Sequence, residues 1–155
     1  MRPVYDRHSD VREWVAKNWQ LFPDEGTQYI GIEDRHGTIR GAAVFTDYNG
    51  HDITLTGLGH YVFSRSVLRA VCAYVFVQLN CRRMTVIVRS SRWRLILLCQ
   101  RHKFQVEGVI RSHYGNENGV LMGLLREDCR WLTDKERWPH GKPPVTTART
   151  RPPRS

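Results

Sequence analysis

The chain has 155 residues, 41% of them hydrophobic, with five tryptophans and a net charge of +9. That size suits one domain with a single core. No apolar run approaches the roughly 20 residues of a membrane-spanning helix, and the opening MRPVYDRHSD lacks the apolar stretch of a signal peptide. Cys72, Cys81, Cys99 and Cys129 form no CxxC pair, so they read as reduced core thiols in a cytoplasmic setting. The histidines show no ligand spacing and give no metal site. The excess of arginine suits a polyanionic partner.

Ser9 and Asp10 precede VREWVAKNWQLF, in which Val11, Trp14, Val15 and Trp19 share one face. This predicts a capped helix that ends at Pro23-Asp24-Glu25-Gly26. Gln28–Glu33 and Thr38–Thr46 read as strands joined by a turn at Asp34–Gly37. A second turn at Tyr48–His51 leads to a third strand, Asp52–Gly57, and the three make an antiparallel meander. The period then changes. Val67, Leu68, Val71, Cys72, Val75, Phe76 and Leu79 recur at helical steps, predicting a helix over Ser64–Asn80.

Met84–Val88 is a continuous apolar strand of the kind found inside a sheet. Arg92–His102 is helical again, with Trp93, Leu95, Ile96, Leu98 and Cys99 expected inward. Phe104–Ser112 and Val120–Arg126 are strands of a hairpin closed by Tyr114–Gly119. The order is strand, helix, three strands, helix, strand, helix, two strands, without internal repeat. The fold class is α/β (α+β), with one domain over residues 1–138. Trp131 and Trp138, beside Arg130 and Arg137, are expected to seal the sheet edge. From Pro139 the chain is a basic Pro/Arg-rich arm that cannot offset its own ordering entropy, so a partner would have to hold it.

Four pieces carry a resemblance. They are the helix SRSVLRAVCAYVF, the strand after Arg82-Arg83, the strand Glu107-Gly108-Val109-Ile110-Arg111 and the closing MGLLREDCRW. Over about Asp10–Arg126 the chain resembles the Gcn5-related N-acetyltransferase (GNAT) superfamily, and within it small GNAT-like proteins of tailed phages. The resemblance implies a mixed, mostly antiparallel central sheet with flanking helices. It implies acetyl-CoA as cofactor and acyl transfer to an amine, without a metal. Short-tailed phages also carry GNAT-like internal virion proteins. The other implication is therefore a catalytically silent component of a virion or larger assembly. Such a protein would bind partner subunits through Arg149, Arg151 and Arg154 of the arm, in host cytoplasm or virion. Nucleic acid is a further partner the charge would allow.

The resemblance also places a site. In these enzymes the coenzyme's pyrophosphate rests on free amides at a helix start, here Ser64, Arg65, Ser66 and Val67. Ser64 reads equally as a plain cap. The strands Asp52–Gly57 and Met84–Val88 would splay to admit the acyl arm, with backbone amides near Leu55 and Gly57 polarising its carbonyl. The positions of the family's asparagine and proton-donating tyrosine hold Arg92 and Cys99, and its glycine before Phe104 is Lys103. Arg92, with Arg94, Arg101 and Lys103, would meet the adenosine 3′-phosphate, dock a polyanion, or form a solvated face. Glu33 is the carboxylate placed to act as general base, and Glu107 is expected to pair with Arg111.

Overall fold

The computed structural model describes residues 1–19 and 24–143. Pro23 and the three arginines of the arm, Arg149, Arg151 and Arg154, therefore lie outside the described residues. Seven strands form one sheet in the order β1-β2-β3-β4-β5-β7-β6. β1 (Arg2–Val4) is the opening strand, antiparallel to β2 (Gln28–Glu33). β3 (Ile39–Thr46) follows β2 antiparallel, and β4 (Thr54–Gly59) follows β3. β4 starts later than the expected Asp52 because the Asn49 side chain accepts from the amides of His51 and Asp52 and keeps both in the turn.

α1 (His8–Asn18) lies on one face of this meander, with Val11 and Val15 packed against Ala42 and Val44 of β3. Asp10 is not its cap. Arg7 holds the cap position, and its Nε donates to the Asp10 carboxylate at 2.8 Å. Asp10 so sits in the first turn, where a negative charge favours the helix dipole. Gly59 ends β4 with a φ of +74°, and a side chain there would strike the Arg40 carbonyl and the Trp14 ring. Only glycine meets both conditions.

The other face carries the main core. α2 (Arg65–Cys72) widens into a π-helical segment over Ala73–Gln78, and its buried face meets Phe45, Met84, Met122 and Leu124. β5 (Arg83–Arg89), α3 (Trp93–Arg101), β6 (Gln105–Ile110) and β7 (Gly119–Leu125) complete the sheet. β7 enters between β5 and β6, antiparallel to both. Of the α3 residues only Cys99 is buried, and Trp93, expected inward, is 57% exposed. Short α4 (Asp134–Arg137) follows, capped reciprocally by Thr133 and Glu136. All four cysteines are buried and unbridged.

Glu107 pairs not with Arg111 but with Arg83, at 2.7 and 3.0 Å. Gly123 on the intervening β7 leaves room for this pair to lie flat across the strand, where a side chain would collide with both partners. Among the described residues, no helix is long and apolar enough to cross a membrane.

Candidate functional site: a basic groove beside a splayed strand pair

β4 and β5 run parallel, yet they pair at one position only, Thr54 opposite Thr85. The Thr85 amide donates to the Ile53 carbonyl at 2.9 Å, and the amides of Arg82 and Arg83 both reach the His51 carbonyl. Beyond this root the strands part. Each stays fully paired on its other edge, β4 to β3 as far as Gly59 and β5 to β7 as far as Arg89. Backbone groups alternate in direction along a strand. Ile53 points to β5, so Leu55 and Gly57 do as well. The Gly57 amide is the first on β4 to face the gap past the last paired position. On β5 the same alternation turns the Ile87 carbonyl to the gap, where the Tyr114 hydroxyl donates to it at 2.9 Å.

Above the root, at the start of α2, lies an open groove of about 1030 Å³ lined by Arg65, Ser66, Arg69, Arg130 and Trp131. The first paired amide of α2 is that of Leu68, which donates to the Ser64 carbonyl at 2.9 Å. The amides of Arg65, Ser66 and Val67 have no partner among the described residues, as expected of a first helical turn. Ser64 holds the cap position, but its hydroxyl makes no capping bond and is buried without a partner. The Ser66 hydroxyl donates to the Met1 carbonyl. Arg65 and Arg130 form no ion pair among the described residues.

Arg69 holds the far wall. Its guanidinium grips Glu136 through two bonds of 2.8 Å and donates to the Trp131 carbonyl. The Arg69 guanidinium and the Thr133 amide together hold the Glu136 carboxyl down to about 2. This bidentate clamp ties the segment bearing Arg130 and Trp131 to α2.

Where α2 covers the two strands the space is nearly filled: a cavity of only about 20 Å³ remains, lined by Leu55 of β4, Met84 and Val86 of β5, Val71 and Cys72 of α2, and Phe63, His102 and Trp131. The His102 ring stacks on Phe63 with centroids 5.7 Å apart and leans on Trp131 at 5.6 Å. Its Nδ1 lies 3.2 Å from an Arg130 nitrogen. Since a guanidinium only donates, Nδ1 accepts and the ring proton sits on Nε2. Burial, reinforced by the Arg130 charge, lowers the His102 pKa and keeps the imidazole neutral. The Trp131 indole nitrogen is buried without a partner. Trp131 lines this cavity beside His102 and packs against the main core.

Of the residues singled out in the sequence, Leu55 and Gly57 lie on β4 where it leaves β5, Arg65 and Ser66 line the groove, and Ser64 and Val67 belong to the same helix start with the Val67 side chain in the core. Three others are not brought there. Arg92 caps α3 at the end opposite His102 and does not line the groove. Cys99 is 2% exposed, and burial pushes its thiol up to about 12. Glu33 lies two strands from β4, 3% exposed, with Arg2 on one carboxylate oxygen and Arg7 at 3.2 Å from the other. Arg69, His102, Tyr114, Arg130 and Trp131 were not foreseen. Only the Arg130-Trp131 end of the MGLLREDCRW piece pointed toward any of them.

Against known proteins, no family profile and no curated protein matches by sequence. Solved structures do match. A spermidine/spermine N-acetyltransferase SpeG from Vibrio cholerae, crystallised with manganese ions, aligns with a TM-score of 0.60 at 16% identity, over 79% of this chain and 77% of that one. A dodecameric form of spermidine N-acetyltransferase from the same organism aligns at 0.61 and 16% identity, with the same shares of the two chains. A point variant of SpeG gives 0.61 and 16% identity over 83% of this chain and 78% of that one. The chain thus has the GNAT fold: a mixed sheet, mostly antiparallel, with helices on both faces. Among the described residues no cluster of three or more His, Cys, Asp or Glu could hold a metal ion.

Proposed function

We propose that this chain binds a coenzyme A thioester, acetyl-CoA being the simplest, and passes the acyl group to an amine. The observation that carries this reading is a coincidence in space. Among the described residues, the stretch where neighbouring central strands part opens beside a helix start with three free amides and two arginines outside any ion pair. Phosphates suit such a place, because helix-start amides and guanidiniums donate to anions without rearrangement. The buried, unpartnered Ser64 hydroxyl fits the same role.

The cosubstrate would supply an activated acyl carbon, and this chain's residues would orient it. Arg65, Ser66 and Arg130 would hold the phosphates. The Gly57 amide would donate to the acyl oxygen, where charge develops as the amine attacks. His102 and Cys72 are titratable side chains that line the cavity, and Tyr114 offers a hydroxyl at the β5 side. Glu33 and Cys99 keep their roles only by resemblance. The acyl end fits once the Phe63–His102–Trp131 stack yields, because about 20 Å³ holds roughly one water. No carboxylate lines groove or gap among the described residues. The polyamines named for the structural neighbours would need such partners, so we leave the acceptor at the level of an amine.

The nearly filled cavity favours a second reading, a GNAT-fold scaffold that works by binding, as part of a virion or another assembly. One experiment separates them. Acetyl-CoA is titrated calorimetrically and thiol release is then followed with amine acceptors. Binding with release supports transfer, binding without release separates the groove from turnover, and no heat at roughly millimolar ligand removes transfer and leaves the scaffold.

A further inference from the structure

We infer that the outer face of α3 and β6 is a docking surface for an acidic, apolar segment of another protein, bound as an extended strand along β6. On α3, Trp93 and Leu97 are 57% and 49% exposed. They stand one helical turn apart, so both lie on the solvent side. On β6, Val106 and Val109 are 47% and 59% exposed. They pair with Met122 and Val120 of β7, which puts their side chains on the face that α3 covers. The two rows run level. α3 has nine residues and β6 six, giving lengths of about 14 and 20 Å. β5 and β6 are both antiparallel to β7 and so parallel to each other, and α3 is the crossover between them.

Charge decides what would lie there. Arg92, Arg94, Arg101 and Lys103 rim α3 and make no ion pair among the described residues. The one acid of β6, Glu107, turns to the opposite face and is held by Arg83. A second copy would set these arginines against each other, and the chain's own Pro/Arg-rich tail carries the same sign. An acidic partner meets neither obstacle.

The partner's form follows from β6. It is the last strand of the sheet, so every other backbone group along it points outward without a strand partner. An extended peptide can take those groups while alternate apolar side chains cover Val106 and Val109. Nucleic acid cannot use that ladder, and Leu97 and the two valines offer it no stacking face.

The test uses the full chain and a labelled synthetic peptide repeating Val-Ser-Glu-Ser, which sets Val and Glu on one face of an extended strand, read by fluorescence anisotropy. The same peptide with Lys for Glu and an oligothymidylate serve as rivals. The Glu peptide should bind and the Lys peptide should not. Arg94→Glu with Arg101→Glu, and separately Val109→Asp, should each weaken it roughly tenfold or more while circular dichroism stays unchanged. Equal binding of both peptides would overturn the inference. So would oligothymidylate displacing the peptide, or a concentration-dependent dimer that Val109→Asp dissolves.

Discussion

The groove at the start of α2 and the gap between β4 and β5 adjoin, yet they differ in almost every physical respect. The groove is open, about 1030 Å³, and walled by guanidiniums and free amides. The gap, where α2 covers it, keeps about 20 Å³ and is walled by aliphatic and aromatic side chains. Under the proposed function these would be the two ends of one cosubstrate site, the anion-holding end open and the reacting end nearly filled. Affinity and turnover should therefore come apart.

The largest effect should fall on the open end. Arg65→Glu with Arg130→Glu should weaken acetyl-CoA binding about a hundredfold, by removing two donors and adding two like charges. Calorimetry reads this directly, and an unchanged affinity would take the groove out of the site. Trp131→Ala tests the nearly filled end. Loss of a half-buried indole should cost about 2 kcal/mol in urea melts. It should also raise affinity for acetyl-CoA relative to adenosine 3′,5′-bisphosphate, which lacks the acyl arm. If the two ligands keep the same ratio, Trp131 is not what fills that end.

His102 makes that end sensitive to acid. Its folded pKa is held below the ordinary 6.5, so the fold favours the neutral ring. The stability this contributes is complete above pH 6.5 and is lost as pH falls through the lowered value, when a second cation forms beside Arg130. Urea melts at pH 7 and pH 5 should differ less for His102→Phe than for the native chain. An equal acid loss in both would place the sensitivity elsewhere. The smallest effect belongs to Lys103, which holds a φ of +72° where the resembled family has glycine. Lys103→Gly should stabilise the chain by about 1 kcal/mol, since an L side chain is strained there. A melt that does not rise would mean that the lysine stem makes a compensating contact.

Much of the fold was legible from local patterns. Strand alternation in Gln28–Glu33, the helical recurrence from Val67 onward and the turn at Asp34–Gly37 each depend on neighbours close in the chain. The misplaced side chains depend on distant ones. Trp93 reads as inward because it is large and apolar, yet α3 lies on the sheet with Cys99 toward it. Glu107 reads as a partner of nearby Arg111. The sheet sets it instead beside Arg83, which is 24 residues away in sequence.

The sequence alone determined the element order, the burial of the cysteines and the helix start at Ser64, because periodicity and turn chemistry act over a few residues. Only the tertiary structure decided that β4 and β5 part after one pair, and that residues as far apart as Phe63, His102 and Trp131 meet around one cavity. Side chains from three separate segments share no local signal. Their meeting is set by the ladders that hold β4 to β3 and β5 to β7, and by the clamp of Arg69 on Glu136.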